Sequence, residues 1–478
     1  MQERGGQERR WWLLVGLVPC SLVLALDGGV LPVALARIQR DLGATQGQLA
    51  EALAAYPLVL AALLPLGGVL GGRFGRRRLL VLGFCVLGSA AALSGLASSP
   101  RLLVVGRALM GAGAAAVLSS TLALISSVFR PTERGRAMAI WAGAGGTCLL
   151  VAPVVGGLLL AHFWWGSVFL LDVPVVVLGL TAVLWLAPES RDTSAPRVDP
   201  AGALLCVAGL LLLAHGTVGL GGPRWASPAV LGPLLGGLLL LALLLVRQRG
   251  GGGRTRAGDA AVPAGAGAVA VGAVAVAFAV LAGTTFCQSL YLQDVRALSP
   301  LGAGIVLIWL PAGLVLGGGT STRWVDRFGG GAVCAAGLLI VALALSGYRF
   351  LSAGTPLVAV LLLLVVQGVG TAHVVGPAAA LLASAPRPQH GVLGAAQLVG
   401  GGLGVAVVGA LLSASSRAYA HGVVSRLAPH EAFVAALHVT FTVAAAFTLL
   451  AALIVASRLW RPRDPAPPRP EPLQLNRS

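Results

Sequence analysis

Lysine is absent from this chain: all 33 basic residues are arginine. Acids are scarce too, 16 in 478 residues, and charged residues total only 10%. Soluble domains carry about 25%. So little charge over this length excludes one oversized soluble core, because single cores stop growing near about 250–300 residues. The six cysteines (Cys20, Cys85, Cys148, Cys206, Cys287 and Cys334) are scattered through apolar runs with no short-range pair, which speaks against a disulfide framework or a zinc site. Clustered metal ligands are missing, as is a nucleophile placed beside a base. The chain is therefore expected to be no enzyme and to need no metal or cofactor. It also has no polar stretch long enough for a large soluble domain.

What the chain has is apolar sequence: 57% hydrophobic residues and a mean hydropathy of +0.90. A membrane span needs about 20 mostly apolar residues. Fourteen runs qualify, at about 11–35, 51–71, 79–97, 102–128, 137–160, 167–187, 201–220, 229–246, 264–290, 301–321, 332–348, 356–382, 391–413 and 434–457. They are continuous, not alternating over about 10 residues as barrel strands are. The first is too long and apolar for a cleaved signal peptide. The fold class is an all-α polytopic membrane protein with 14 transmembrane helices.

The net charge of +17 could attract nucleic acid. The arginines, however, lie in short loops between the runs and read as topology signals, so no nucleic-acid partner is expected. With the N-terminus inside, the inner segments hold 24 Arg and the outer loops 8, with Arg107 inside a span. By the positive-inside rule both termini are cytoplasmic. Trp11 and Trp12, and Trp164 and Trp165, fall where interfacial belts are expected. The bias toward Arg, Ala, Gly, Val, Leu and Pro points to a GC-rich bacterial genome, hence to a bacterial cell membrane. Residues 188–200 and 247–260 read as linkers, the second flexible, and the Pro/Arg-rich tail from Pro462 as disordered.

An internal repeat is visible. GVLGGRFGRRR (68–78) and TRWVDRFGGGA (322–332) align without gaps at an offset of 254, sharing Arg-Phe-Gly, with Gly72 opposite Asp326. The same offset carries the start of the first run to the start of the ninth. Spans 1–6 and 9–14 are thus two parallel, pseudo-symmetric six-helix bundles (11–187 and 261–460), with two inserted helices within 188–260 and a tail at 461–478. Parallel halves with a substrate site between them are a transporter architecture.

Several segments then resemble the major facilitator superfamily, and within it the fourteen-span drug:proton antiporters. Gly68, Leu70, Gly72, Arg73, Gly75, Arg76, Arg77 and Arg78 are similar to the loop signature G-x-L-a-D-R-x-G-R-R/K-R, with Gly72 where the family has Asp. LDGGVLPVAL in span 1 resembles L-D-x-T-V-V-N-V-A-L and keeps Asp27. GRALMGAGAA (106–115) resembles R-x-x-Q-G-x-G-A-A and keeps Arg107. CLLVAPVVGG (148–157) resembles the antiporter signature G-x-x-x-G-P-x-x-G-G and keeps Pro153, Gly156 and Gly157. LVGGGLGVAVVG (398–409), YLQ (291–293) and SPLGAG (299–304) are similar to further family segments. The resemblance implies proton-coupled efflux by alternating access, with protons as coupling ion, an amphipathic small-molecule substrate, lipid as surroundings and a monomeric state.

Two physical readings stand beside it. Pro153 removes a helix hydrogen bond and Gly156 and Gly157 allow close approach, which suits a hinge or seal, or generic packing. The Arg73–Arg78 cluster fixes topology and binds anionic headgroups, or takes part in a conformational switch with Gly68, Gly75, Asp326, Arg327 and Gly329; Asp326 is the candidate substitute for the missing Asp.

Three in-span charges fall in the outer half: Asp27, Arg107 and Asp172. A central Asp or Arg disfavours insertion by about 2.5–3.5 kcal/mol, and such groups face a cavity or each other. Asp27 is the candidate proton carrier and Arg107 its partner. Asp172, Gln288, Gln293 and Gln367 are weaker cavity candidates. His215, His373 and His438 are relays or helix–helix hydrogen bonds. The alternatives in function are a facilitator or importer of a polar solute, for which in-span charges are few, and a non-transporting sensor or scaffold, suggested by the lost Asp at position 72.

Overall fold

Proline and small polar residues punctuate the apolar runs, and the helices start where they do. In the computed structural model, which describes residues 2–191, 199–250, 265–383, 390–421 and 429–459, Pro100, Pro200 and Pro300 open helices directly after Ser99, Asp199 and Ser299, whose side chains accept hydrogen bonds from backbone N–H groups of the first turn. Proline suits that position because its missing N–H is one the helix could not pair. Thr45 and Gln48 form a reciprocal capping box at the next helix start.

Fourteen helices among the described residues are long and apolar enough to cross a membrane, matching the fourteen runs. Spans 1–6 are Arg10–Leu42, Gln46–Phe74, Arg76–Gly95, Pro100–Val128, Thr132–His162 and Ser167–Leu186. Spans 7 and 8 are Pro200–Leu220 and Pro228–Arg247. Spans 9–14 are Ala266–Val295, Pro300–Phe328, Gly330–Tyr348, Leu357–Leu382, Val392–Tyr419 and Glu431–Leu459. Spans 1–6 pack chiefly on one another, as do spans 9–14. Span 7 lies against span 2 of one half and span 13 of the other, while span 8 packs on span 7 and buries only 6% of its apolar window.

The repeat extends to the backbone. Gly75 and Gly329, 254 positions apart, both have positive φ, 113° and 85°, and each forms the junction between two spans. Arg73 lies over Phe74 at 5.7 Å and Arg327 over Phe328 at 5.4 Å. A left-handed φ here favours glycine. The segments read as loops are therefore single-residue turns: helix continues through Arg73 and Arg327, since long arginine side chains cover apolar surface while their heads reach water.

Trp165 departs from the expected belt. It is buried and packs edge-on against Phe169 at 6.2 Å, whereas Trp12 and Trp164 are exposed. The reason is position: two residues before span 6 it already turns inward. Residues 192–198, 251–264 and 460–478, which hold most of both linkers and the tail, lie outside the described residues.

Candidate substrate and coupling site

Span 1 carries Asp27 and span 4 carries Arg107, and the fold sets the two face to face. The Arg107 guanidinium donates through Nη1 to Asp27 Oδ1 and through Nη2 to Asp27 Oδ2, the latter at 2.9 Å. Its Nε donates to the Ala52 carbonyl of span 2 at 3.2 Å. The Tyr56 ring lies 4.7 Å from the guanidinium carbon and the Phe169 ring 5.9 Å. Arg107 is 1% exposed and Asp27 8%. Such desolvation is tolerable only because the charges meet in a two-bond fork and the third donor direction is also filled.

One side of this pair faces an internal cavity of about 470 Å³. From the first half it is lined by Asp27, Gly28, Gly29, Pro32, Tyr56, Pro57, Arg107 and Pro153; from the second by Phe278, Leu281, Thr285, Leu310, Pro311 and Gln397, among others. The lining is overwhelmingly apolar, and the volume lies within the range of about 300–1,000 Å³ usual for small-molecule sites.

At the Arg-poor end the two halves are joined. Span 9 turns to a π-helical winding over Tyr291–Val295. Ser289 Oγ donates to the Pro32 carbonyl, and Gln293 Nε2 to the Val33 carbonyl at 2.8 Å. Spans 5 and 10 cross closely: a Cβ on Gly157 would come within 2.6 Å of Leu301 Cα, and one on Gly304 would overlap the Pro153 carbonyl oxygen. Span 2 meets span 13 there too, at Ala50–Gly409 and Leu58–Gly402. Within the first half, Gly156 packs on Val30, and a Cβ on Gly29 would be 2.5 Å from that of Ala152. Span 5 remains one helix through Pro153, so Pro153, Gly156 and Gly157 serve in this state as close-packing surface at and beside the seam.

Some expected residues lie elsewhere. Gln288 and Gln367 do not line the cavity: Gln288 Nε2 donates to Gln367 Oε1 at 2.9 Å, and Gln367 Nε2 to Thr284 Oγ1 at 2.7 Å, tying span 9 to span 12. Gln293 belongs to the seam. Buried amides find a partner before they face a cavity. Asp172 is buried, 3% exposed, and is not among the residues that line the cavity. His215 bonds Glu51 at 2.7 Å, bordering a second cavity of about 590 Å³ where span 7 meets spans 2 and 13. His373 bonds Thr320 and the Val369 carbonyl, and His438 the Leu351 carbonyl.

Tyr56 and Gln397 were not foreseen. Tyr56, one of four tyrosines, sits five residues after Glu51 within a span; that rarity was the available signal. Gln397 is an in-span amide that the glycine-rich pattern around it obscured.

The arginine cluster after span 2 is held by a different acid from the one expected. Asp326 is exposed. Glu189, just past span 6, accepts from the Arg77 N–H at 3.3 Å and pairs with Arg78 at 3.6 Å, while the Arg76 N–H donates to the Ser190 carbonyl at 3.0 Å. Arg76 Nη1 also donates to the Ala123 carbonyl at 3.0 Å. Glu189→Gln is expected to change stability by less than about 1 kcal/mol, as exposed pairs do, yet to slow transport several-fold. Thermal melts beside efflux rates check this.

A Major Facilitator Superfamily model matches residues 17–407. The puromycin resistance protein pur8 of Streptomyces alboniger is 31% identical over 475 residues, covering 96% of this chain and 92% of that protein. The multidrug efflux pump LfrA of Mycolicibacterium smegmatis is 32% identical, covering 86% and 82%. The tetracenomycin C resistance and export protein of Streptomyces glaucescens is 29% identical, covering 86% and 77%. Among solved structures, an auto-inhibited POT family peptide transporter superposes with a TM-score of 0.69 at 18% identity, covering 96% of this chain and 99% of that one. A bacterial homolog of human Spinster in an inward-facing, occupied conformation gives 0.62 at 17%, covering 95% and 99%.

Proposed function

This chain belongs to the Major Facilitator Superfamily, and from that premise we propose that it exports small amphipathic molecules in exchange for protons. The observation that carries the reading is Asp27: a carboxylate that lines an apolar cavity between two halves while a buried guanidinium holds it. Relatives named for puromycin resistance and multidrug efflux support it.

With the Arg-rich side cytoplasmic, the seam closes the outer face and the cavity is served from within. A substrate enters, its apolar body against Phe278, Leu281 and Leu310. Rocking of the halves breaks the Ser289–Pro32 and Gln293–Val33 bonds and opens the outer face. A proton entering there binds an Asp27 carboxylate oxygen, weakens its hold on Arg107 and on substrate, and is released inside when the cycle returns. Across 100 mV one charge is worth about 2.3 kcal/mol, enough for more than a tenfold gradient. The protein acts as a monomer in the bacterial cell membrane, both termini cytoplasmic.

The test uses everted membrane vesicles and the fluorescent cation ethidium. Uptake that follows an imposed proton gradient and stops with an uncoupler is expected. Transport that ignores the collapsed gradient, or that runs only down the ethidium gradient, identifies a facilitator instead.

A further inference from the structure

The second cavity, of about 590 Å³, lies where span 7 meets spans 2 and 13, and export gives it no task. It sits at the Arg-poor end, which the positive-inside rule turns outward. Its volume is within the range of about 300–1,000 Å³ usual for small-molecule sites. Polar side chains converge on it: Gln39 and Gln46 from the first half, His215 from span 7, and Ser413, Ser416 and Arg417 from span 13.

Span 13 concentrates the donors. Ser413, Ser416 and Arg417 stand at i, i+3 and i+4, so they share one helix face. Arg417 is half-buried, and among the described residues no acid pairs with it. The acid that lines the same cavity, Glu51, is bonded to His215 at 2.7 Å. It also lies deeper. Ala50 packs on Gly409 and Leu58 on Gly402, so spans 2 and 13 run antiparallel. Arg417, eight residues past Gly409, therefore stands about 12 Å further out than Ala50 and its neighbour Glu51.

The serines are an independent observation. A serine inside a helix can turn its hydroxyl onto the carbonyl three or four residues back, as Ser126, Ser346 and Ser457 do here. Ser413 and Ser416 do not, and both hydroxyl oxygens are buried with no hydrogen-bond partner. Most buried polar groups in folded chains have one. Rotation between staggered χ1 wells turns each hydroxyl into the cavity that its residue lines.

We propose that this outer cavity binds a phosphate ester of a hydroxylated small molecule, its phosphate on Arg417, Ser413 and Ser416. A guanidinium offers phosphate oxygens paired N–H donors, and the two hydroxyls complete the set. The Gln39 and Gln46 amides donate and accept, as the ligand's hydroxyls do. Span 13 belongs to the second half and both glutamines to the first, so the occupant bridges the closed seam. A glycerol-type lipid headgroup and a free polyol phosphate share this chemistry. The proposal concerns binding alone and does not depend on proton exchange.

The experiment titrates the purified full chain, in neutral detergent, with glycerol 3-phosphate in a calorimeter. A second arm places the chain in phosphatidylcholine nanodiscs containing some phosphatidylglycerol and reads retained lipid by native mass spectrometry. One saturable site is expected for at least one of the two probes, and none for glycerol. Binding of glycerol 3-phosphate identifies a soluble ligand; retention of phosphatidylglycerol alone identifies a headgroup. Arg417→Gln is expected to weaken the binding at least about tenfold, and Ser413→Ala with Ser416→Ala several-fold. Arg349→Gln, which alters another arginine, stacked on Phe350 at 5.6 Å, leaves it unchanged. Failure to bind either probe overturns the proposal, as does wild-type affinity in the Arg417 and double-serine chains. If Arg417→Gln does not fold, the double-serine chain decides.

Discussion

Asp27→Asn is expected to reduce proton-coupled efflux to background, at least a hundredfold, in a chain that still folds. The asparagine carbonyl can take one bond from Arg107, and the Ala52 carbonyl keeps the bond from its Nε, so the guanidinium is not abandoned. Arg107→Lys is the more revealing partner experiment. It keeps the charge, yet Arg107 makes two bonds to Asp27, one to the Ala52 carbonyl and a stack on Tyr56. A point-like ammonium reproduces at most part of that set. A loss of transport of at least tenfold is expected from Arg107→Lys, at the same expression level. Arg107→Ala adds a fold penalty, because breaking a buried pair destabilises by about 3–5 kcal/mol, less whatever Asp27 recovers by taking a proton. Efflux rates with thermal melts of the three variants separate the two effects. Wild-type efflux in Arg107→Lys would show that charge alone suffices.

That pair was the most legible part of the site. Asp27 and Arg107 were two of very few charges inside apolar runs, and in hydrocarbon such charges must meet a partner or a cavity; the fold gives them both. The span count was equally legible, because length and hydropathy decide it. Contacts between distant segments were less so. Glu189 reaches Arg77 across 112 positions, and no local pattern marks an acid just past a span as the clamp for a cluster so far away. The seam hydrogen bonds end on the carbonyls of Pro32 and Val33, and every residue has a carbonyl. The in-span glutamines show the converse failure. Polarity in an apolar run signals a need for a partner, and Gln288 and Gln367 meet it with each other, so the same signal that identified Asp27 misplaced them. Helix ends drifted because apolarity stops before the helix does, as at Arg327 and Phe328.

The seam yields the second large effect. Valine at position 304 is expected to abolish transport while leaving the protein folded and able to bind substrate. Gly304 of span 10 sits so close to the Pro153 carbonyl that any Cβ there overlaps it. Neither atom can yield cheaply, since both belong to backbones of long helices. The contact joins one half to the other, so the strain is relieved by separating the halves at the Arg-poor end, not by unfolding either. Contrast Gly368, where a Cβ would overlap the Leu310 carbonyl: spans 12 and 10 are in the same half, so Gly368→Val is expected to lower stability instead, in the manner of overpacking at about 1–3 kcal/mol or more. Gly143, with nothing within 4 Å of its added Cβ, is the neutral control as Gly143→Ala. Spin labels or reactive cysteines on the loops flanking spans 1 and 9 report the opening. A Gly304→Val chain whose Arg-poor end stays closed, or which transports at the wild-type rate, would show that spans 5 and 10 do not form the seal. An open, folded, inactive chain would show that the small residues of both segments are there to let two rigid halves touch.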